Sequence, residues 1–237
     1  AAGMKRLALG LLLLMAALNV AGAVLVWRQL PASRRFVPQP RVRQALVMLW
    51  RHLRNRHVLS ACALGFCVLF SLLGCFTYIN LYLAAPPYRL NSAQLADIFA
   101  VYLIGMLITP LAGRLIVRFG PSRTMLLAVA LSVFGMLLSL SPPLGVVILA
   151  LAMMSSGVFI TQSATINYIA QHVTEGRSLA SGIYYMAFYA GGSAGAWLCG
   201  FAYAQGGWVS TVSLLVAVQV VAMLIAGVLM GGRRLPV

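Results

Sequence analysis

The sequence predicts an all-α membrane protein, a polytopic helical bundle that crosses the bilayer several times. Only 8% of the residues are charged and the mean hydropathy is +0.96, whereas a water-soluble domain carries about 25% charged residues. Runs of 18 or more nearly uncharged residues recur along the chain, as in membrane-spanning helices. The net charge of +15 lies at the ends of these runs, which is typical of membrane loops rather than of a nucleic-acid-binding surface.

The apolar runs divide into seven predicted spans. Each is long enough, at 1.5 Å per residue, to cross a hydrocarbon core of about 30 Å. The first is not a signal peptide, because it ends in Trp27 and Arg28 without a small-residue cleavage site. The predicted spans are 7–27, 58–83, 93–113, 124–141, 145–170, 178–204 and 209–231.

The basic residues predict which side of the membrane each connection faces. The opposite side of the bilayer from most of them holds only Lys5, Arg6 and Arg89. Because cytoplasmic loops are enriched in Lys and Arg, the richer side is predicted to be cytoplasmic, with the amino terminus outside. That side carries fourteen: eight in residues 28–57, three in 114–123, one in 171–177 and two in the cytoplasmic tail 232–237.

The first span, residues 1–27, is followed by a basic linker over residues 28–57. Prolines in the linker break any continuous helix. From about Arg41 to His57, two interpretations stay open. The segment is either a short basic amphipathic helix at the inner membrane surface or a solvated linker.

The remaining residues, 58–231, are predicted to form a six-helix bundle made of two copies of one three-helix unit, 58–141 and 145–231. An offset of 87 residues carries the start of the second span to the start of the fifth and matches the next two starts within two residues. Three helices is an odd number, so the second copy enters the membrane from the opposite side. We therefore expect a three-plus-three inverted repeat preceded by one helix.

Glycines and arginines near the helix ends support this repeat. Gly113 and Gly120 map onto Gly200 and Gly207 under the same offset, with the same spacing of seven. Arg118 falls on Gln205, so the copy that faces outside lacks the positive charge, as the insertion rules predict.

The loop GRLIVRFGPSR, residues 113–123, matches a family signature. The pattern is roughly G-x-L-x-D-R-x-G-x-R/K-R/K, and Val117 stands where an acid is usual. With one helix, a basic linker and an inverted repeat, the chain resembles the carboxyl-terminal half, helices six to twelve, of a major facilitator superfamily transporter. Residues 162–200 resemble helices ten and eleven of bacterial efflux-type permeases. The matching residues are Gly113, Leu115, Arg118, Gly120 and Arg123.

The resemblance implies a secondary active transporter of the bacterial inner membrane that works by alternating access. It implies proton-coupled efflux of a small organic molecule or drug, without a cofactor. The expected partners are this substrate, the lipid bilayer and an amino-terminal half, but no nucleic acid. The chain opens AAGMKR directly before the helix that resembles the sixth, so we expect a fragment.

The same resemblance assigns the loop arginines a conformational role. Arginines at a helix end can engage helix carbonyls or acidic groups of neighbouring helices in one state only. We therefore expect the matching residues, including Arg118 and Arg123, to form a latch. Val117 removes the local acidic partner.

Polar side chains predict the substrate-binding residues. They concentrate in the spans 145–170 and 178–204, and buried polar groups in lipid need partners or water. At 1.5 Å per residue, Gln162 and Tyr185 lie at similar depth, about 12 and 10 Å from the inner ends of their helices. We expect Gln162, Tyr185 and Tyr189, with Phe70 opposite, to line a central cavity; hydrogen bonds between helices are the alternative.

The sequence argues against an enzyme. No convergent catalytic or metal-ligating set is evident: the three histidines lie near helix ends, the cysteines form no CxxC pair, and the only acids are Asp97 and Glu175. A retinal protein is excluded because the single lysine, Lys5, lies outside the core of a helix. A seven-helix receptor or signalling protein without transport activity is the alternative, although it does not explain the repeat.

Overall fold

The structure is a computed structural model that describes residues 2–29 and 42–231. Of its two compact units, the first, residues 1–42, contains one helix, α1 (Ala2–Gln29). At 1.5 Å per residue its length is about 42 Å, sufficient to cross a bilayer, and its side chains from Leu9 onward are exposed. Residues 30–41 of the predicted linker and the predicted tail 232–237 lie outside the described residues.

The second unit, from Arg43 onward, is helical throughout its described part and contains no strand there. Together with α1 it supplies six helices long and apolar enough to cross a membrane. The predicted all-α, multi-pass fold is thus confirmed. The elements are α2 (Val42–Leu53), α3 (Arg56–Ala84), α4 (Ser92–Ile98), α5 (Val101–Phe119), α6 (Pro121–Leu138), α7 (Leu144–His172), α8 (Arg177–Leu224) and a π-helical turn (Ile225–Leu229).

The last long helix, α8, contains two of the predicted spans. Its 48 residues would extend about 72 Å as one rod, far more than a bilayer needs. Gly206 and Gly207 have non-helical backbone angles, and φ at Gly207 is +61°, which favours glycine because it lacks a Cβ. The helix therefore consists of a first arm, 177–205, and a second arm, 208–224.

The connections of the second unit lie at two opposite ends. At one, here called the arginine end, α3 begins, α5 meets α6 and α7 meets α8; Ser122 donates a hydrogen bond to Met230 O there. At the other, here called the tryptophan end, Trp208 Nε1 donates to Ser139 O over 3.3 Å and the Tyr88 hydroxyl donates to Pro142 O. Burial, and then Tyr82, raises the pKa of Tyr88 to about 12, so this donor stays protonated.

Helix α3 is the centre of the bundle and packs closely against the first arm of α8. A Cβ built at Gly191 would lie 2.6 Å from Phe66 Cα, and one built at Gly195 would lie 2.7 Å from Phe70 Cα. Such small-residue stripes let helix backbones approach in membranes, where van der Waals packing drives association. The Gly191–Gly195 spacing thus marks a helix-packing face.

Glycines also bring α6 and α7 together. A Cβ at Gly135 would lie 2.6 Å from Ala150 O, and one at Gly157 would lie 3.0 Å from Ser132 N. Ser132 is buried and its hydroxyl donates to Met154 O over 3.1 Å. The cysteines of the chain, Cys62, Cys67, Cys75 and Cys199, are free and buried, so they are core rather than lipid-facing thiols.

Candidate functional site

The first arm of α8 carries an exposed row of aromatic side chains. Residues four apart share one face of a helix, and this row runs at that spacing from Tyr185 through Tyr189 to Trp197 and Phe201. The rings of Tyr185 and Tyr189 stack with centroids 6.3 Å apart, and those of Trp197 and Phe201 meet edge to face at 5.3 Å. Tyr189 is 64% exposed and Trp197 66%. This aromatic row is the most prominent ligand-facing feature of the described residues.

The four predicted cavity residues do not form one contact group. Ring contacts and hydrogen bonds in the described part of the chain join Tyr185 to Tyr189 but join neither of them to Gln162 or Phe70. Gln162 is half-buried on α7. Phe70 is only 3% exposed and packs in the contact between α3 and α8. Phe70 would reach a cavity only if this contact opened.

The polar pattern of α7 has a local explanation in the structure. The hydroxyls of Ser156, Thr161 and Thr165 donate to the carbonyl four residues earlier, over 2.6 to 2.7 Å. Each of these three side chains is buried. Serine and threonine can satisfy themselves in this way inside a helix, so their clustering does not require a cavity.

Two buried polar groups were not singled out as candidates from the sequence. Tyr184 is fully buried against Gly65, and its hydroxyl has no hydrogen-bond partner in the described residues; the same holds for both side-chain polar atoms of Gln219. Unpaired buried polar groups are costly in a membrane interior. No local motif marks them, because both lie in ordinary apolar helical sequence.

Histidines form a cluster at the arginine end. The His57 ring stacks on His172 with centroids 4.6 Å apart, and its Nδ1 lies 2.6 Å from the Tyr168 hydroxyl. Arg56 Nε donates to His57 Nε2 over 3.4 Å, so His57 is neutral with its proton on Nδ1 in this arrangement. The residues are more than a hundred positions apart, and sequence spacing could not reveal the contact.

The predicted latch loop is exposed at the arginine end. Gly120 has φ +78°, and Pro121 follows at the first position of α6, where its fixed φ and missing N–H are favourable. The Arg118 guanidinium lies 5.3 Å from the Phe119 ring. In the described residues, the ion pair present joins Arg51 to Glu175 and leaves Arg118 and Arg123 without a carboxylate.

The other two latch residues differ in their surroundings. Gly113 has open space around its Cα, and a methyl group added there would meet nothing within 4 Å. Leu115 packs beside the small buried cluster of Ala112, Ala128 and Ile160. Only Leu115 therefore has an evident packing role within this unit.

Helix α5 has an uncovered face of its own. Leu103, Leu107 and Val117 are 55%, 77% and 89% exposed, and their spacing places them along one side of the helix. Within the ranges 2–29 and 42–231, no group of three His, Cys, Asp or Glu residues is arranged to hold a metal ion. What the site offers is aromatic, neutral and apolar surface.

Comparisons with known proteins agree on one family. The profile of the Major Facilitator Superfamily matches residues 76–236. An uncharacterized MFS-type transporter of Bacillus subtilis is 28% identical over 92% of the chain and 54% of its own length. The inner membrane transport protein YnfM of Escherichia coli is 28% identical over 87% and 50%. An uncharacterized transporter of Buchnera aphidicola from Schizaphis graminum is 28% identical over 83% and 48%.

Proposed function

Because the chain belongs to the Major Facilitator Superfamily, a family of transporters and not of enzymes, we propose that it is the carboxyl-terminal half of a twelve-helix secondary transporter. The chain spans about half the length of the curated relatives it matches. The observation that carries the proposal is the pair of long uncovered faces on α5 and α8. An amino-terminal half would cover them, and alternating access would move the two halves against each other.

The helix boundaries support the inverted repeat on which this proposal rests. Adding 87 to the bounds of α3 gives 143 and 171, beside those of α7 (Leu144–His172). The same addition takes the bounds of α6 to 208 and 225, the limits of the second arm of α8. Gly120 and Gly207, equivalent under this offset, both have positive φ. The two turns lie at opposite ends of the unit, as an inversion requires.

The charge distribution supports a cytoplasmic arginine end. The 114–123 and 171–177 connections and the start of α3 lie at this end, and the tryptophan end has only Arg89 in its connections. We place the protein in the bacterial inner membrane with a cytoplasmic carboxyl terminus. The relative named an inner membrane transport protein supports the choice of membrane.

The aromatic row supports a small organic substrate with an apolar or aromatic body. Tyr185 and Tyr189 present ring faces and hydroxyls but no charge. Charged groups in this half lie near helix ends or in loops, so a coupling carboxylate for proton-driven efflux belongs in the other half. Similarity to named transporters disfavours the receptor alternative.

Thiol labelling of the natural full-length protein tests this function. The buried native cysteines are replaced, and single cysteines are placed at Tyr185, Tyr189 or Gln162. Leu137 and Val221 serve as matched controls, since each is 49% exposed on a helix expected to face lipid. We expect a hydrophilic maleimide to label the first three at least tenfold faster, because a water-filled pathway admits it and lipid does not. Equal rates at all five positions would contradict the proposal.

A further inference from the structure

Helix α2 is attached by one face to the turn between α7 and α8. His52, on this face, is only 5% exposed, and neither of its ring nitrogens has a hydrogen-bond partner in the described residues. A Cβ at Gly176 would lie 2.9 Å from His52 Nε2, and φ at Gly176 is +61°. Only glycine fits both the space and the backbone angle. Arg51 Nη1 lies 3.3 Å from Glu175 Oε2 beside this contact.

The other face of α2 is exposed and apolar. Leu46, Trp50 and Leu53 follow the i, i+4, i+7 spacing of one helix face and are 58%, 58% and 38% exposed. Leu49, on the attached side, instead packs against the core. The helix therefore has two apolar sides, one covered by the protein and one uncovered.

Arginines border the uncovered face. On a helical wheel of 100° per residue, Arg43 and Arg54 fall beside Trp50 on the same edge. The Arg54 guanidinium lies 4.6 Å from the centre of the Trp50 ring, a cation–π arrangement that leaves the guanidinium at the rim of the apolar surface. α2 contains no acidic residue. Apolar surface with a cationic rim is the pattern of a helix lying in a membrane interface.

The position of α2 determines what can cover this face. Only Arg54 and Asn55 separate α2 from α3, a membrane-spanning helix that starts at Arg56. The Asn55 side chain accepts a hydrogen bond from His57 N and caps α3. α2 therefore lies at the membrane boundary, where its arginines are within reach of lipid phosphates.

We propose that α2 lies on the membrane surface and binds anionic phospholipid headgroups through Arg43 and Arg54, with Leu46, Trp50 and Leu53 inserted at the acyl boundary. Because His52 and Arg51 connect α2 to the α7–α8 turn, the bound lipid also anchors that turn. Anionic lipid then stabilises the conformation in which α2 is docked on Gly176. The proposal concerns a lipid site and does not depend on the identity of the transported substrate.

An environment-sensitive fluorophore on the natural full-length protein tests the lipid site. It is attached at Leu46→Cys, with Gln44→Cys as the matched control, because Gln44 is an exposed residue of the same helix on a different face. The protein in detergent is titrated with short-chain phosphatidylglycerol or with phosphatidylcholine. We expect a blue shift at position 46, but not at 44, with phosphatidylglycerol at lower concentration. Arg43→Gln and Arg54→Gln should each weaken the apparent affinity about fivefold, equivalent to about 1 kcal/mol per arginine.

Three results would overturn the proposal. Equal responses to the two lipids, or unchanged affinity in the double arginine variant, would show that anionic headgroups are not recognised. A label at position 46 that is already blue-shifted in detergent and indifferent to lipid would show that another part of the protein covers this face. Thermal unfolding of each variant at the wild-type temperature establishes that the comparison is between folded proteins.

Discussion

At the scale of single residues, glycines decide how closely the central helices approach. Gly191 and Gly195 place the first arm of α8 against the backbone of α3 at Phe66 and Phe70. A lipid-exposed helix gains no hydrophobic free energy by pairing with another, so close van der Waals contact has to hold the pair together. The absence of a side chain at these two positions is therefore a structural requirement, unlike at glycines that face open space.

Gly195→Ala should destabilise the protein by about 1–3 kcal/mol, because the added methyl meets the Phe70 backbone, which cannot rotate away. Gly182→Ala in the same helix is the matched control, since nothing lies within 4 Å of its methyl position. That change should be neutral or stabilising by up to about 1 kcal/mol through helix propensity. Unfolding midpoints in denaturant, measured in one detergent, check both. Equal effects of the two substitutions would refute a packing role for Gly195.

At the scale of helices, the histidine cluster couples the arginine ends of α3 and α7. His57 and His172 stack at 4.6 Å with Arg56 beside them. A neutral His57 accepts from Arg56, whereas a protonated one must release that bond and carry its charge beside a guanidinium. The contact is thus compatible with neutral rings and is opposed by protonation of both.

We expect the contact to be present at pH 8 and to weaken as the pH falls through about 6.5, where imidazoles ordinarily titrate. Wild-type protein should lose thermal stability between pH 8 and pH 5. His172→Gln should show a smaller loss over the same interval, because it removes the stacked partner charge. Melting temperatures of the two proteins across this range provide the measurement. Parallel curves would mean that the pair does not respond to pH.

At the scale of the whole molecule, the arginine loop lacks a carboxylate within the described residues. Arg118 and Arg123 are exposed at the arginine end, and Val117 occupies the position where related loops carry an acid. A charge-assisted contact worth about 1–3 kcal/mol would shift a balanced equilibrium between two states about five- to more than a hundredfold. Its partner must be helix-end carbonyls or groups of the other half.

Arg118→Gln in the natural full-length protein should slow transport and change thiol accessibility at the arginine end, while equilibrium substrate affinity stays within a few-fold. Arg118→Lys should restore part of the effect, because it retains the charge but not the planar guanidinium. Accessibility of a single cysteine at the α5–α6 turn and equilibrium binding are the two measurements. Unchanged accessibility with normal membrane insertion would leave the arginine a topological role only.

The sequence by itself determined the elements and their order. A bilayer sets span length, so apolar runs bounded by arginines predicted the helices, and the predicted spans 178–204 and 209–231 match the arms of α8 on either side of Gly207. The loop signature also identified the family. The repeat and the latch stay predictions, although Gly120 and Gly207 agree with the first.

Tertiary structure alone decided which side chains meet. Phe70, expected at a cavity wall, is packed against α8; His57 and His172 meet across more than a hundred residues; and the hydroxyls of α7 bond within their own helix. Apolar spacing and length are properties of one helix and its solvent. The rotation of each helix and the partners of its side chains depend on every neighbour packed against it, and no local pattern contains that information.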